Sequence, residues 1–143
     1  EPAIARHLSQ KVPSVIGPMA RDRLTRQNAV DLNHDGDRRH FARQTKCPAY
    51  LAWRLLHRGD DYVIVWAQRR IGLELKLIRA SDESLLWQAS HTALRWHGGL
   101  PISPASAVFA AADAARLQLD RDVLPSLIDD ALRRMFVTLP ELH

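Results

Sequence analysis

Residues 60–96 constrain the fold of this chain more than any other stretch. Asp60-Asp61-Tyr62-Val63-Ile64-Val65-Trp66 leads to Ile71-Gly72-Leu73-Glu74-Leu75-Lys76-Leu77-Ile78, then to a polar reversal at Ser81-Asp82-Glu83-Ser84, then to residues 85–96. Residues 62–66 form a nearly continuous apolar run, as in a strand covered on both faces. Ile71, Leu73, Leu75 and Leu77 alternate with Gly72, Glu74 and Lys76, the period of a half-buried strand. Residues 85–96 read as a long return strand, and Gly98-Gly99-Leu100-Pro101 ends it. Three strand signals with short polar connections predict an antiparallel meander.

Helix-like sequence flanks the meander on both sides. Val15, Ile16, Met19, Ala20 and Leu24 recur at helical spacing and predict a helix near 16–27, with Pro18 tolerated in its first turn. Residues 28–32 read as a short strand. Asp37 is placed to cap a brief helix through Gln44. Pro48 opens a predicted helix over 48–58, with Leu51, Ala52, Leu55 and Leu56 inward and Gly59 as its stop. After the sheet, Ser103-Pro104 opens an Ala-rich helix through about Leu117. Asp122 caps the last helix, where Val123, Leu124, Leu127, Ile128, Ala131, Leu132, Met135 and Phe136 form a broad apolar stripe opposite Asp129, Asp130, Arg133 and Arg134; Pro140 closes it. The expected architecture is α+β, an α/β sandwich. It has an antiparallel meander within a mixed sheet, helices packed on it and a C-terminal amphipathic helix, as one domain over residues 1–143.

A chain of 143 residues that is 46% apolar can bury a core without disulfides or metals. The single cysteine, Cys47, excludes an internal disulfide framework and leaves the compartment open. No apolar run approaches the roughly 20 residues of a spanning helix. Glu1-Pro2-Ala3-Ile4 lacks the basic start and apolar stretch of a signal peptide, and without an initiator Met the sequence reads as processed or truncated. The net charge of +4 is uneven: residues 1–60 hold eleven Lys/Arg against six Asp/Glu, and residues 61–143 hold nine against ten. That excess can mark a surface for nucleic acid, anionic lipid or an acidic polymer, or simply an Arg-rich surface. The charges are scattered rather than blocked, which favours the latter.

No catalytic constellation stands out. Asp31, Asn33, Asp35, Gly36 and Asp37 match the first seven positions of a calcium loop, but Arg38 takes the apolar eighth position and Ala42 the bidentate twelfth. An Asx-rich turn running into the Asp37 cap accounts for the same residues. His34, Asp35, Asp37 and His40 lack the spacing of a transition-metal pair. Cys47, before Pro48 at an expected helix start, is placed for thiolate activation by the helix dipole, or equally for simple burial. It is not a lipid-attachment cysteine, because Gln44-Thr45-Lys46 lacks the small apolar residues that precede one. His91 lies mid-strand and reads as a satisfied strand residue. Trp53, Trp66, Trp87 and Trp96 are either stacking platforms or core and interface residues. There is no Gly-x-Ser-x-Gly, phosphate-binding Gly-rich loop or Cys-x-x-Cys. The expected assignment is therefore no catalytic residue, no cofactor and no metal.

At the meander the chain resembles periplasmic lipoproteins of the curli-secretion (CsgG-like) type, with the TolB N-terminal domain and the Pel polysaccharide lipoprotein as relatives by fold. The family's Gly-Ala-Asp-Tyr-like segment corresponds to Gly59-Asp60-Asp61-Tyr62-Val63-Ile64. Its "Val-Asp-x-x-Thr-Gly-x-x-Leu-Trp" hairpin corresponds to Leu77-Ile78-Arg79-Ala80-Ser81-Asp82-Glu83-Ser84-Leu85-Leu86-Trp87. Its closing helix corresponds to residues 122–139, and Phe41-Ala42-Arg43-Gln44 sits where the family has a helix ending in Glu-Gln. Arg79 replaces the family Asp, and no Gly occupies the turn. The resemblance covers about residues 28–139. It implies a non-enzymatic envelope protein, periplasmic and outer-membrane associated, held by a lipidated Cys upstream of Glu1. Such a protein supports secretion, export or assembly, with other envelope proteins, copies of itself, and anionic lipid or polymer as partners. The alternatives are a basic nucleic-acid-binding α+β domain, and a small enzyme using Cys47 or the His34–His40 region.

Overall fold

In the computed structural model, the described residues are 1–63, 66–98, 106, 108, 109, 112, 115 and 123–140. Helices α1 (Pro2–Ser9), α2 (Pro18–Asn28) and α3 (Asp35–Thr45) precede strands β1 (Ala49–Val63), β2 (Trp66–Arg79) and β3 (Leu85–Gly98), and helix α4 (Val123–Val137) follows. The strands form a three-stranded antiparallel sheet in the order β1-β2-β3. The expected α+β meander between helices is therefore present, with its first strand displaced.

The displaced strand is the main correction. Residues 48–58, expected as a helix, lie in β1, and Leu55 and Leu56, expected inward, are 45% and 42% exposed. Helical spacing of leucines competes there with pairing to β2, and the pairing prevails. The Ala80 N–H donates to the Pro48 carbonyl at 2.9 Å, which draws the chain into the sheet as soon as α3 ends. Residues 62–66, expected as one strand, are divided between two: Tyr62 and Val63 end β1 and Trp66 begins β2, while Ile64 and Val65 lie outside the described residues. Residues 28–32 do not form a strand. Asn28 ends α2, Ala29 adopts φ 51°, and Val30 N–H returns to Thr25 O at 3.0 Å. Helix α1, which follows a first-turn proline, has no counterpart in the periodicity reading.

β2 is more deeply buried than its alternation suggests. Ile71, Gly72, Leu73, Glu74 and Leu75 are all buried, so both faces of this central strand are covered. β3 keeps the period-two pattern, with Trp87 and Ala93 buried between exposed Gln88, Ser90, Thr92 and Leu94. The α2 stripe is not a core face: no residue of α2 is buried, and Met19 is 88% exposed. The predicted helix over 103–117 lies mostly outside the described residues, although Ser106, Val108, Phe109, Ala112 and Ala115 have helical backbone. Asp122, the expected cap of the last helix, also lies outside them.

The chain packs as two compact units. One comprises residues 1–54, 75–89 and 135–143, the other residues 55–74 and 90–134. In the first, Ile4, Phe41, Leu75, Leu77, Trp87, Met135, Phe136 and Leu139 are buried. Phe136 stacks on His7 with ring centroids 6.2 Å apart, and on Trp87 at 6.0 Å. The Trp87 indole donates to the Thr138 carbonyl at 3.1 Å, so its polar edge is satisfied where the chain leaves α4. In the second, Ile71, Leu73, Ala93, Val123, Leu127, Ala131 and Leu132 are buried, and Arg95 donates to the Ser126 hydroxyl at 3.1 Å. The exposed side of α4 carries Asp129–Arg133 and Asp130–Arg134 pairs at 3.3 and 3.0 Å, acid preceding base by four residues, the orientation that supports a helix.

Helices α2 and α3 both end without glycine. Lys46 stands at φ 54°, and its N–H and that of Cys47 return to Arg43 and Ala42, a Schellman closure. A side chain in this left-handed region costs on the order of 1–2 kcal/mol, against the larger entropy that glycine loses on folding. Lys46→Gly and Ala29→Gly are each expected to raise stability by about 0.5–1 kcal/mol, seen as a higher urea midpoint at unchanged slope. A lower midpoint would show that the side chains at these caps contribute more than the backbone loses.

Candidate functional site

The residues singled out as candidate chemistry fall mostly in the first unit, around the turn from α2 into α3. Helix α3 starts at Asp35 with His34 as its N-cap, three residues earlier than the expected cap at Asp37, so Gly36 and Asp37 are helical. Asp37 therefore does not cap its own helix. Its carboxylate accepts the Asp31 N–H at 3.0 Å. Asp31 Oδ1 accepts the backbone N–H and the side-chain amide of Asn33, each at 2.9 Å, and Oδ2 lies 3.2 Å from His34 Nδ1. The Asn33 backbone N–H, first among these donors, holds the Asp31 carboxyl below the usual carboxylate range. These carboxylates are turned to their own backbone, as an Asx turn requires. His40 is exposed on α3. Among the described residues no group of three or more His, Cys, Asp or Glu is gathered as a metal would need.

Arg38, which entered the sequence reading only as a residue out of place in a calcium loop, organises this region. Its guanidinium donates to Leu32 O at 2.9 Å, pairs with the Asp35 carboxylate, and reaches Glu83 of the β2–β3 hairpin at 2.9 Å. It also lies 5.7 Å from the centroid of the Tyr50 ring on β1. One half-buried cation thereby links the turn, α3, β1 and the hairpin. Glu83, foremost among these partners, raises the Arg38 pKa further. Burial, followed by the Glu83 charge, raises that of the Tyr50 phenol.

Glu83 occupies the turn with φ 60°, the conformation for which glycine is favoured. The hairpin closes through Glu83 N–H to Arg79 O at 3.0 Å and Arg79 N–H to Ser84 O at 2.9 Å. Asp82 Oδ1 accepts the Ser84 hydroxyl at 2.8 Å and its N–H at 3.1 Å, and the hydroxyl is the main cause of a depressed Asp82 pKa.

Cys47 is not at a helix start. It follows the C-terminus of α3, half-buried, with its N–H on Ala42 O. The negative end of the helix dipole lies there, so the ground for an activated nucleophile is gone. Trp87 is a core residue, whereas Trp53 is 45% exposed and its indole donates to Glu1 at 3.3 Å. The side chains of Trp66 and Trp96 lie outside the described residues, and His91 is half-buried in β3. Part of the basic excess is internally paired: Arg21 contacts Glu1 at 3.1 Å and Asp22 at 2.8 Å. The contacts around Arg38, Asp31 and Asp82 hold the turn, α3, β1 and the hairpin together.

No family model matches the chain, and no curated protein matches it. Among solved structures it is similar to lipoprotein GNA1162 from Neisseria meningitidis, at 15% identity and a TM-score of 0.42 over 68% of this chain and 69% of that one. It is also similar to a protein from Caulobacter crescentus CB15 assigned to the lipoproteins, at 10% identity and a TM-score of 0.36 over 63% of this chain and 62% of that one.

Two predictions test the Arg38 network and the depressed carboxylates. A double-mutant cycle with Arg38→Met and Glu83→Gln is expected to give a coupling of about 0.5–1 kcal/mol, the range for a partly exposed pair; additive effects would dissolve the link between α3 and the hairpin. Asp31, Asp82 and Glu1 all have folded pKa values below their unfolded ones, Glu1 chiefly through Arg21. Their stabilisation is complete above the unfolded value of about 4 and is lost as pH falls through the folded values. Urea midpoints should therefore hold from neutral pH to about 5 and decline in acid. Asp82→Asn should show a shallower acid decline, and an identical decline would remove Asp82 from this account.

Proposed function

We propose that this chain is a non-enzymatic protein of the bacterial cell envelope. It sits in the periplasm, is held at the outer membrane by a lipid upstream of Glu1, and supports secretion, export or assembly. The observation that supports this reading most is where the resembling motifs meet. Leu85-Leu86-Trp87 follows the hairpin as in the family pattern, and Trp87 stacks on Phe136 of the closing amphipathic helix. The left-handed backbone at Glu83 supports it as well, because the family has glycine in that turn. Among the described residues no helix is long and apolar enough to cross a membrane, so attachment by a lipid is the route this reading requires. The work of such a protein is binding, and the side chains around Arg38 serve cohesion rather than turnover.

The test uses the full-length precursor expressed in a Gram-negative host with an alkyne fatty acid. The expected result is labelled protein in the outer-membrane fraction, with precursor accumulating when lipoprotein signal peptidase is inhibited. Unlabelled protein with an intact N-terminus in the cytosol would overturn the assignment.

A further inference from the structure

We propose that Trp53 and the polar row beside it, Glu1, Arg21 and Asp22, bind a neutral saccharide, with the indole as the stacking face for one pyranose ring. All four residues belong to the first compact unit. That unit holds two tryptophans with different surroundings. Trp87 is buried and stacks on Phe136, whereas Trp53 is 45% exposed on β1, and among the described residues no ring or cation stacks on it. An indole left in solvent adds little to a core, but it offers a broad, rigid apolar plate to a ligand. Its edge is fixed in place. Nε1 donates to Glu1 Oε1 at 3.3 Å, and Arg21 Nη1 and Nη2 donate to Oε1 and Oε2 of the same carboxylate at 3.4 and 3.1 Å. Arg21 Nε donates in turn to Asp22 Oδ1 at 2.9 Å. Arg21 first, and then the indole, holds the Glu1 carboxyl below its usual range, so it remains an acceptor at neutral pH.

The atoms this row leaves uncommitted identify the ligand. A guanidinium carries five N–H donors, and the contacts of Arg21 leave one of them, on Nη1, unused. Among the described residues Asp22 Oδ2 accepts no hydrogen bond, and Glu1 Oε2 accepts only the one from Arg21. Beside the apolar plate there is thus a donor flanked by two acceptors. A hydroxyl both donates and accepts, so two neighbouring hydroxyls of a sugar can satisfy a carboxylate and the guanidinium together. The C–H face of the same ring lies flat on the indole. A phenyl ring would use the plate alone. A phosphate or a uronate would meet two carboxylates against a single cation, which disfavours an anionic ligand here. Because the side chains already brace one another, less ordering is required on binding. Saccharide binding at Trp53 does not depend on where the protein is anchored, so it can fail while the envelope reading holds.

The test is a titration of the full 16.2 kDa chain with maltotriose and with chitotriose, followed by the indole N–H signals in proton–nitrogen NMR. The Trp53 signal is the one missing from Trp53→Phe. The expected result is a saturable shift of that signal with a millimolar dissociation constant for at least one of the two sugars. Trp53→Ala and Asp22→Ala should each weaken binding about tenfold or more. Asp22 is exposed on α2 and can be replaced without touching the sheet, so Asp22→Ala decides the matter even if β1 does not tolerate the loss of Trp53. A Trp53 signal that responds to neither sugar, or binding undiminished in Asp22→Ala, would overturn the proposal. So would a larger response of the same signal to trigalacturonate or to phosphatidylglycerol vesicles than to the neutral sugars.

Discussion

The packing of the first unit depends on Phe136. Its ring lies within stacking distance of His7 from α1 and of Trp87 from β3, so one side chain joins the beginning of the chain, the sheet and the last helix. Phe136 is among the largest fully buried side chains. Removing such a ring typically costs about 3–5 kcal/mol, a large share of a small domain's stability. The Trp87 indole gives this cluster direction as well as mass. Its N–H needs an acceptor once buried and finds one at Thr138, which fixes how the chain departs from α4. The aromatic contact explains why the C-terminal stripe, the clearest periodic signal in the sequence, belongs with the meander.

Arg38 does for the polar side of that unit what Phe136 does for the apolar side. A guanidinium offers five donors in a planar fork, enough to serve a backbone carbonyl and two carboxylates while its face meets an aromatic ring. That capacity also sets the electrostatics of the calcium-like loop. The positive charge that the loop's oxygens favour is already supplied by Arg38, and Asp31 and Asp37 are committed to backbone N–H groups. The same side chain that spoiled the motif as a pattern is what gives the turn its structure.

The reach of the sequence followed the strength of local signals. The last helix was legible because eight apolar positions agree with one period and the opposite face carries charges. β2 and β3 were legible because alternation leaves little room for a helix. β1 was not, since Leu51, Leu55 and Leu56 satisfy helical spacing while their strand pairing depends on residues of β2, beyond the reach of local periodicity. Tyr62 to Trp66 misled in a related way: an apolar run identifies burial or sheet membership but does not mark where the chain reverses. The helix ends at Ala29 and Lys46 were hidden because neither is glycine, the usual signpost. Of the candidate chemistry, Cys47 changed meaning for the same reason, as an unrecognised helix end stood where a helix start was expected. The Arg38 network left one trace, a charged residue where a motif wanted an apolar one, and nothing in the spacing tied it to Glu83.

Glu83 holds a backbone conformation suited to glycine while presenting a carboxylate that glycine lacks. The two roles cannot both be optimised at one position. An arginine at position 38 gives reason to keep an acidic residue in the turn despite its strain. Where that arginine is lost, nothing restrains the turn from reverting to the residue its geometry prefers. Positions 38 and 83 should consequently drift as a pair among relatives, although 45 residues separate them.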